Sequence, residues 1–398
     1  MGVRPSGFDS PLRHHFSFSA RKRPIKKQKT IEAIRAEIDK IDARIVDLLG
    51  KRARLAFQIG RLKLKESLNF YDSKREQDIL GRITRLNNGT FPEKSLVSIF
   101  QEIFFACRSV QQKETVAYLG PRGTFSYLAA LKYFGKEHRF HPAMSIEEVF
   151  TEVARDRCQY GIVPIENSTE GTVNLTLDAL YKYDLKICGE VYQEVQLDLV
   201  NQSGQTADIK VIYSHPQPLA QCRQWLRDNM PSIPLKEVSS TAAAAQQAAE
   251  DPDAAAIAPD IAARLYKLQT AARRIEDYVG NTTRFVVLSK QSVPPSGRDK
   301  TSVLFGVADR PGSLVEILHV LSERNINMSK IESRPKKGEP WQYLFFVDLG
   351  GHYSDEPVQK ALEKMSQECS YFKWLGSYPR GRDIRKIDKD RSVINVIA

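Results

Sequence analysis

No apolar run in the 398-residue chain approaches the roughly 18 residues that a transmembrane helix needs, so none is expected. Cysteine is sparse. Cys107, Cys158, Cys188, Cys222 and Cys369 lie far apart, and no pair has metal-ligand or disulfide-framework spacing. They read as reduced thiols of a cytoplasmic protein, mostly acting as small buried hydrophobes. The N-terminal stretch lacks the apolar core of a secretory signal. There is no low-complexity segment, no short-period repeat, and no helix-turn-helix or other output module.

Acid is also scarce, but only at the ends. Residues 1–30 hold eight Lys/Arg against Asp9 alone, which accounts for +7 of the formal charge of +11. "RGRDIRKIDKDR" near the C-terminus supplies much of the rest. The body of the chain is close to neutral, so a nucleic-acid reading would rest on tails alone. Hydrophobic content of 41% suffices for real cores, and the length suits two to four domains.

Between a basic tail (1–30) and a C-terminal tail (381–398), three segments differ in periodicity. Residues 31–112 are helical: Ile31, Ile34, Ile38, Ile41, Ile45, Leu48, Leu55, Ile59 and Leu62 form a 3-4 repeat, and further helices fit 73–87 and 93–112. Residues 115–290 alternate strands and helices, an α/β pattern in which "KICGEVYQEVQLDLV" reads as one strand and "PLAQCRQWLRDN" as one helix. After the linker "SVPPSGRDK", residues 300–380 give β-α-β-β-α-β, an α+β ferredoxin-like domain.

The 3-4 seam is interrupted by Arg52. A guanidinium in an apolar seam needs an anion. Lys63 follows three turns later on nearly the same face, whereas Arg35 precedes Arg52 by about 25 Å of helix. One small ligand cannot touch both from one chain, so Arg35 would have to come from a second protomer. Asp72, Arg75 and Glu76 share a face of the second helix, as Cys107 and Gln111 share one of the third.

Four polar clusters break the α/β segment at strand ends, where open α/β sheets bind ligands. They are "GPRGTFSYLAA" with Thr124 and Ser126, "VPIENSTEGTV" with Glu166, Asn167, Ser168 and Thr169, "YSHPQPLAQC" with Ser214, His215 and Gln221, and "NTTRF" with Asn281, Thr282, Thr283 and Arg284. His215, ahead of a proline in a turn, reads as structural.

"IRAEIDKIDARIVDLLGKRARLAFQIGRLK", "YDSKRE" and "ACRSVQQ" resemble the all-α chorismate mutase of the intertwined-dimer type. That resemblance implies carboxylate clamps from Arg35 of a partner, Arg52 and Arg75, with Lys63 and Gln111 at the ether oxygen. It puts Glu76, with Asp72 nearby, at the ring hydroxyl, and Cys107 where some members have serine. The four strand-end clusters together resemble prephenate dehydratase, most specifically in "TRF". That family's two-lobed fold resembles periplasmic binding proteins. It implies a donor role for Thr283 or Glu166 at the departing 4-hydroxyl of prephenate, with Asn167 facing the site. Thr124, Ser126, Ser168, Ser214, Gln221, Ser240 and Thr241 would bind substrate, and Arg284 would support the geometry or pair with a substrate carboxylate. "DRPGSLVEIL" and "KIESRP" resemble the two ligand turns of a phenylalanine-sensing ACT domain. Gly312, Ser313, Leu314 and Val315 would form one turn, with Gly312 admitting close backbone approach. Glu332, Ser333, Arg334 and Pro335 would form the other, with Glu332 taking the ammonium.

The combination implies a bifunctional chorismate mutase–prephenate dehydratase that needs no metal or organic cofactor. Its partners are chorismate, prephenate and L-phenylalanine, and it forms a homodimer or homotetramer. The rivals are a non-catalytic small-molecule sensor and an arogenate dehydratase.

Overall fold

A computed structural model describes residues 30–65, 73–89, 91–111, 114–335 and 342–381. The basic tail before Thr30, the C-terminal tail beyond Gly381, and Asp72 lie outside the described residues. The described chain divides into two compact units, the second beginning at Arg52.

The helical segment has α1 (Ile31–Lys65), α2 (Ser73–Leu86) and α3 (Glu93–Gln111), each ending within a residue or so of the sequence expectation where one was made. Thirty-five residues without a proline make α1 a long helix. Among the described residues its apolar seam stays open: Ile38 is 50% exposed, Ile41 56%, Leu55 60% and Leu62 57%. Around α2 and α3, Ala56, Ile83, Phe104 and Cys107 are buried.

The α/β segment forms two lobes. The first is built from β1 (Thr115–Leu119), α4 (Phe125–Phe134), β2 (Arg139–Ala143), α5 (Ile146–Ala154), β3 (Tyr160–Asn167), β4 (Gly171–Thr172), α6 (Asn174–Lys182) and β5 (Lys186–Glu194). The chain then crosses to β6 (Asp198–Asn201), β7 (Val211–Ser214), α7 (Pro216–Gln221), α8 (Arg223–Asn229), β8 (Leu235–Glu237), α9 (Thr241–Glu250), β9 (Ala254–Ala258), α10 (Asp260–Tyr266) and β10 (Gln269–Ala272). It returns as β11 (Thr282–Ser289), which inserts antiparallel between β3 and β5. The first sheet runs β2-β1-β3-β11-β5 and the second β10-β6-β9-β7-β8. The two crossing segments bond to each other, Val195 N–H to Asn281 O at 2.8 Å and Ile275 N–H to Leu197 O at 2.8 Å.

Two expectations are corrected here. The single strand expected over 186–200 is two strands in different sheets, because the chain changes lobe at 195–197. The single helix expected after Pro218 breaks at Cys222. Helix α10 and strands β2, β4, β8 and β10 were not anticipated; β2 and β8 are short and largely exposed, so neither carries an apolar pattern.

The last segment has the expected order: β12 (Asp299–Gly306), α11 (Ser313–Ser322), β13 (Met328–Pro335), β14 (Tyr343–Gly350), α12 (Glu356–Glu368) and β15 (Tyr371–Pro379). Its sheet runs β13-β14-β12-β15. One face packs Val303, Phe305, Val347 and Leu349 under Ile317, Val320, Leu362 and Met365 of the two helices. The other face joins the first lobe, because Leu304, Leu344, Phe346, Leu375 and Tyr378 belong to the same core as Ile162, Ile187 and Phe285. Gly376, at φ +139°, brings its backbone against Ile187; a Cβ there would lie 2.2 Å from the Ile187 oxygen.

Candidate active sites

The mouth of β11 lies at the seam between the lobes, and each of its four polar residues has its own partner. Asn281 accepts from Asn167 Nδ2 at 2.9 Å and from Ser168 Oγ at 3.3 Å. The Thr282 amide donates to Ser168 Oγ at 3.0 Å. Thr283 Oγ1 accepts from Asn167 Nδ2 at 2.9 Å. Asn167 is fixed in turn, its Oδ1 accepting from the Thr169 and Glu170 amides at 2.9 and 3.1 Å. An amide that donates to the Thr283 oxygen leaves the hydroxyl proton free to be donated elsewhere.

Arg284 is 4% exposed, and its three guanidinium nitrogens are taken: Nε by Glu190 at 2.7 Å, Nη1 by Asp348 at 2.5 Å and Nη2 by Tyr378 at 3.0 Å. Burial works against its charge, but Asp348, Tyr378 and Glu190 outweigh it and hold the group firmly protonated. Asp348 is itself buried, which works against its charge, yet Arg284 and Lys300 hold its carboxyl below the usual range. Three of the five guanidinium N–H donors of Arg284 serve support of the strand. Lys300 Nζ joins Glu190 at 2.8 Å and Ser302 Oγ joins Asp348 at 2.5 Å, so the network spans both domains. Glu166 lies beside it, 3.8 Å from Arg284 Nη1 and 3.1 Å from Lys330 Nζ.

From the second lobe, Gln221 Nε2 reaches Glu170 at 3.0 Å and Gln217 Nε2 reaches it at 2.6 Å, bridging the cleft. Ser214 is fully buried and donates to the His215 carbonyl at 3.1 Å. His215 caps α7, its Nδ1 accepting from the Gln217 amide at 3.3 Å. Ser240 caps α9 through the Ala243 amide at 3.0 Å, and Thr124 caps α4 through the Tyr127 amide at 3.3 Å. Ser126 and Thr241 are buried beside these caps.

In the helical segment, Arg52 Nη1 donates to Cys107 Sγ at 2.7 Å, and the guanidinium lies 5.4 Å from the Phe104 ring centroid. Glu76 accepts from Arg108 Nη1 at 3.0 Å. Lys63 is half-buried on α1, Arg75 is exposed on α2, and Arg35 is exposed on the part of α1 that belongs to the other unit. Gln111 ends α3.

The expected regulatory residues separate. Gly312, Ser313, Leu314 and Val315 line a cavity of about 370 Å³ with Tyr343 and Phe345. The Ser313 hydroxyl is buried and has no hydrogen-bond partner among the described residues. Gly312 sits at φ +90°, a left-handed backbone that favours glycine, and a Cβ there would meet no protein atom closer than 4.0 Å. Glu332 and Arg334 instead face the first lobe. Thr172 Oγ1 donates to Glu332 at 2.7 Å, and Arg334 Nη2 pairs with Asp178 at 2.7 Å, while Ser333 and Pro335 are exposed.

Arg108, Glu170, Glu190, Lys330 and Asp348 escaped the sequence reading. Lys330 in "KIESRP", Glu170 in "VPIENSTEGTV" and Arg108 in "ACRSVQQ" stand inside the quoted motifs; Glu190 and Asp348 do not stand in any of the site motifs.

Comparison with known proteins agrees with this geometry segment by segment. Residues 34–112 match the chorismate mutase type II family, 116–293 prephenate dehydratase, and 301–367 the ACT domain. A bifunctional chorismate mutase/prephenate dehydratase of Aquifex aeolicus is 46% identical over 88% of this chain and 98% of its own length. The chain belongs to the bifunctional chorismate mutase/prephenate dehydratases. A second such protein, from Stutzerimonas stutzeri, is 42% identical over 88% of this chain and 98% of its own. Among solved structures, a prephenate dehydratase from Arthrobacter aurescens in complex with L-Phe aligns at a TM-score of 0.63 and 32% identity, covering 71% of this chain and 99% of that one. The dehydratase and ACT segments of the present chain therefore share that architecture, and the enzyme carries a mutase and a dehydratase on one polypeptide. Among its described residues, no helix is long and apolar enough to cross a membrane.

Proposed function

We propose that Thr283 supplies the proton that leaves with the 4-hydroxyl of prephenate. The observation that carries this is the 2.9 Å bond from Asn167 Nδ2 to Thr283 Oγ1, which orients the hydroxyl as a donor. As the ring carboxylate departs as CO2, its bonding pair enters the ring. The C4–O bond breaks, and the oxygen leaves as water with the donated proton, giving phenylpyruvate. Aromatisation drives the step, so a weak acid held in place is enough.

The mutase step needs no proton transfer. Arg52, Arg75 and the partner's Arg35 hold the two carboxylates of chorismate, while Lys63 and Gln111 meet the charge that grows on the ether oxygen. Arg35 reaches this site only from a second copy, and the exposed seam of α1 supports that partner: an apolar stripe of this length is covered in solution. The enzyme is accordingly a homodimer or a homotetramer, and its five unpaired cysteines suit the cytoplasm.

L-Phenylalanine regulates the dehydratase. The orphaned Ser313 hydroxyl in the cavity at the start of α11 supports a ligand there. Glu332 does not line that cavity in the same chain, so an amino acid touching both binds where two ACT domains meet. Converting chorismate to phenylpyruvate with and without L-phenylalanine tests the reading. Gly312→Val should leave both activities in place and remove inhibition; a variant as sensitive as the parent would refute the assignment.

A further inference from the structure

Lys330 belongs to the ACT sheet, yet its ammonium lies 3.1 Å from Glu166 Oε1 at the dehydratase site, and its side chain is only 10% exposed. The same ammonium donates to Thr172 Oγ1 at 3.1 Å, and Thr172 Oγ1 donates to Glu332 Oε2 at 2.7 Å. Lys330 Nζ is 3.9 Å from that Glu332 oxygen. A continuous polar chain thus runs from Glu332, through Thr172 and Lys330, to Glu166. The other cation near Glu166, Arg284, is itself clamped to Asp348 of β14. Among the described residues, both cations that face Glu166 are held by the ACT sheet.

We propose that Lys330 is a positioning residue for Glu166, and that through it the occupancy of Glu332 by an amino acid's ammonium reaches the dehydratase site. The inference rests on the reading of Glu332 as the amine ligand. Lys330 divides its charge between two carboxylates, Glu166 and Glu332. An ammonium bound to Glu332 compensates that carboxylate and competes with Thr172 for its oxygen. The hold of Glu332 on Lys330 then weakens, and Lys330 draws Glu166 toward the ACT sheet. Glu166 precedes Asn167, the residue that orients Thr283, so the pull disturbs the donor geometry and the sign is inhibition. The Arg334–Asp178 pair crosses the same interface.

The test uses the full-length enzyme. Lys330→Met should lower dehydratase kcat only a few fold with KM nearly unchanged, leave the mutase rate alone, and keep L-phenylalanine binding by calorimetry. The half-inhibitory concentration of L-phenylalanine should rise at least about tenfold, within the range of ordinary allosteric couplings. Lys330→Arg, which keeps the cation, should recover most of the sensitivity. Thr172→Val removes the relay without touching a charge and should desensitise more weakly; it decides the matter if Lys330→Met fails to fold. An inhibition curve unchanged in the folded Lys330 or Thr172 variant overturns the inference. A distinct failure, Glu332→Ala binding L-phenylalanine as tightly as the parent, would instead overturn the ligand assignment on which it rests.

Discussion

The mutase and dehydratase halves solve the same problem, placing charge beside a small dicarboxylate, in opposite ways. In the mutase, Arg35 and Arg75 are exposed on helices, and the seam around Arg52 is open along α1. In the dehydratase, the polar residues at the mouth of β11 are already held inside the chain, and each guanidinium nitrogen of Arg284 has a partner. On the reading proposed above, the first site needs a second polypeptide. The second draws on another domain of its own chain. Mutase activity should therefore depend on assembly, and dehydratase activity on the integrity of a buried polar network.

The sharpest break between the halves comes at Thr283. Replacement by alanine should cost the dehydratase about 10²–10⁴ in kcat, the usual scale for a positioned proton donor, with prephenate affinity and mutase rate little changed. Thr282→Ala should do far less, because Thr282 engages Ser168 through its backbone amide. Calorimetry decides: loss of prephenate binding in Thr283→Ala would make the hydroxyl a binding group. In the other half, Arg52→Ala should cost the mutase about 10²–10³ while dehydratase turnover of supplied prephenate persists. Equal loss of both activities would mean that Arg52 holds the fold together instead.

The join between the halves responds to pH. Glu114, at the entry to β1, is buried, and burial pushes its carboxyl up to about 7 against the opposing pull of Arg108. Burial likewise pushes His138 down to about 4. The 3.7 Å contact between them is therefore not an ion pair at neutral pH. A carboxyl whose pKa is raised in the folded state gains stability from its proton below pH 4.5. That gain disappears as pH climbs from about 4.5 to 7, and above it the buried charge costs about 3 kcal/mol. Glu114→Gln should raise the urea midpoint at pH 8 and leave it nearly unchanged at pH 4.5; an equal shift at both would show that the carboxyl is not titrating there. The smallest effect tests the seam. Ile41→Asp should weaken self-association in sedimentation and reduce mutase activity at least about tenfold at low protein concentration, with the dehydratase spared. A mutase insensitive to dilution and to this substitution would argue for a site complete in one chain.

The sequence disclosed what repeats and what interrupts a repeat. Helical spacing around Arg52 and the strand ends at "ENST" and "NTTRF" carried the segments and most of the residues at the dehydratase seam. It was silent where the deciding fact was a distant partner. Nothing local to Glu190 or Asp348 marks them, because their meaning comes from Arg284 across the fold. Nor does an apolar run of strand residues reveal that the chain changes sheets at 195–197, since both sheets bury their strands alike.

The glycine at position 376 limits how this enzyme can be recombined. Its backbone rests on Ile187, and five side chains of the ACT sheet complete the core of the first lobe. The conventional boundary near Lys290 is thus a seam in the sequence without being a seam in the packing. Transplanting a sensor for another amino acid at that boundary would leave Glu190 and Arg284 facing foreign side chains. A functional chimera would have to carry Glu190, Arg284, Lys300 and Asp348 as one inherited set, with a glycine opposite Ile187.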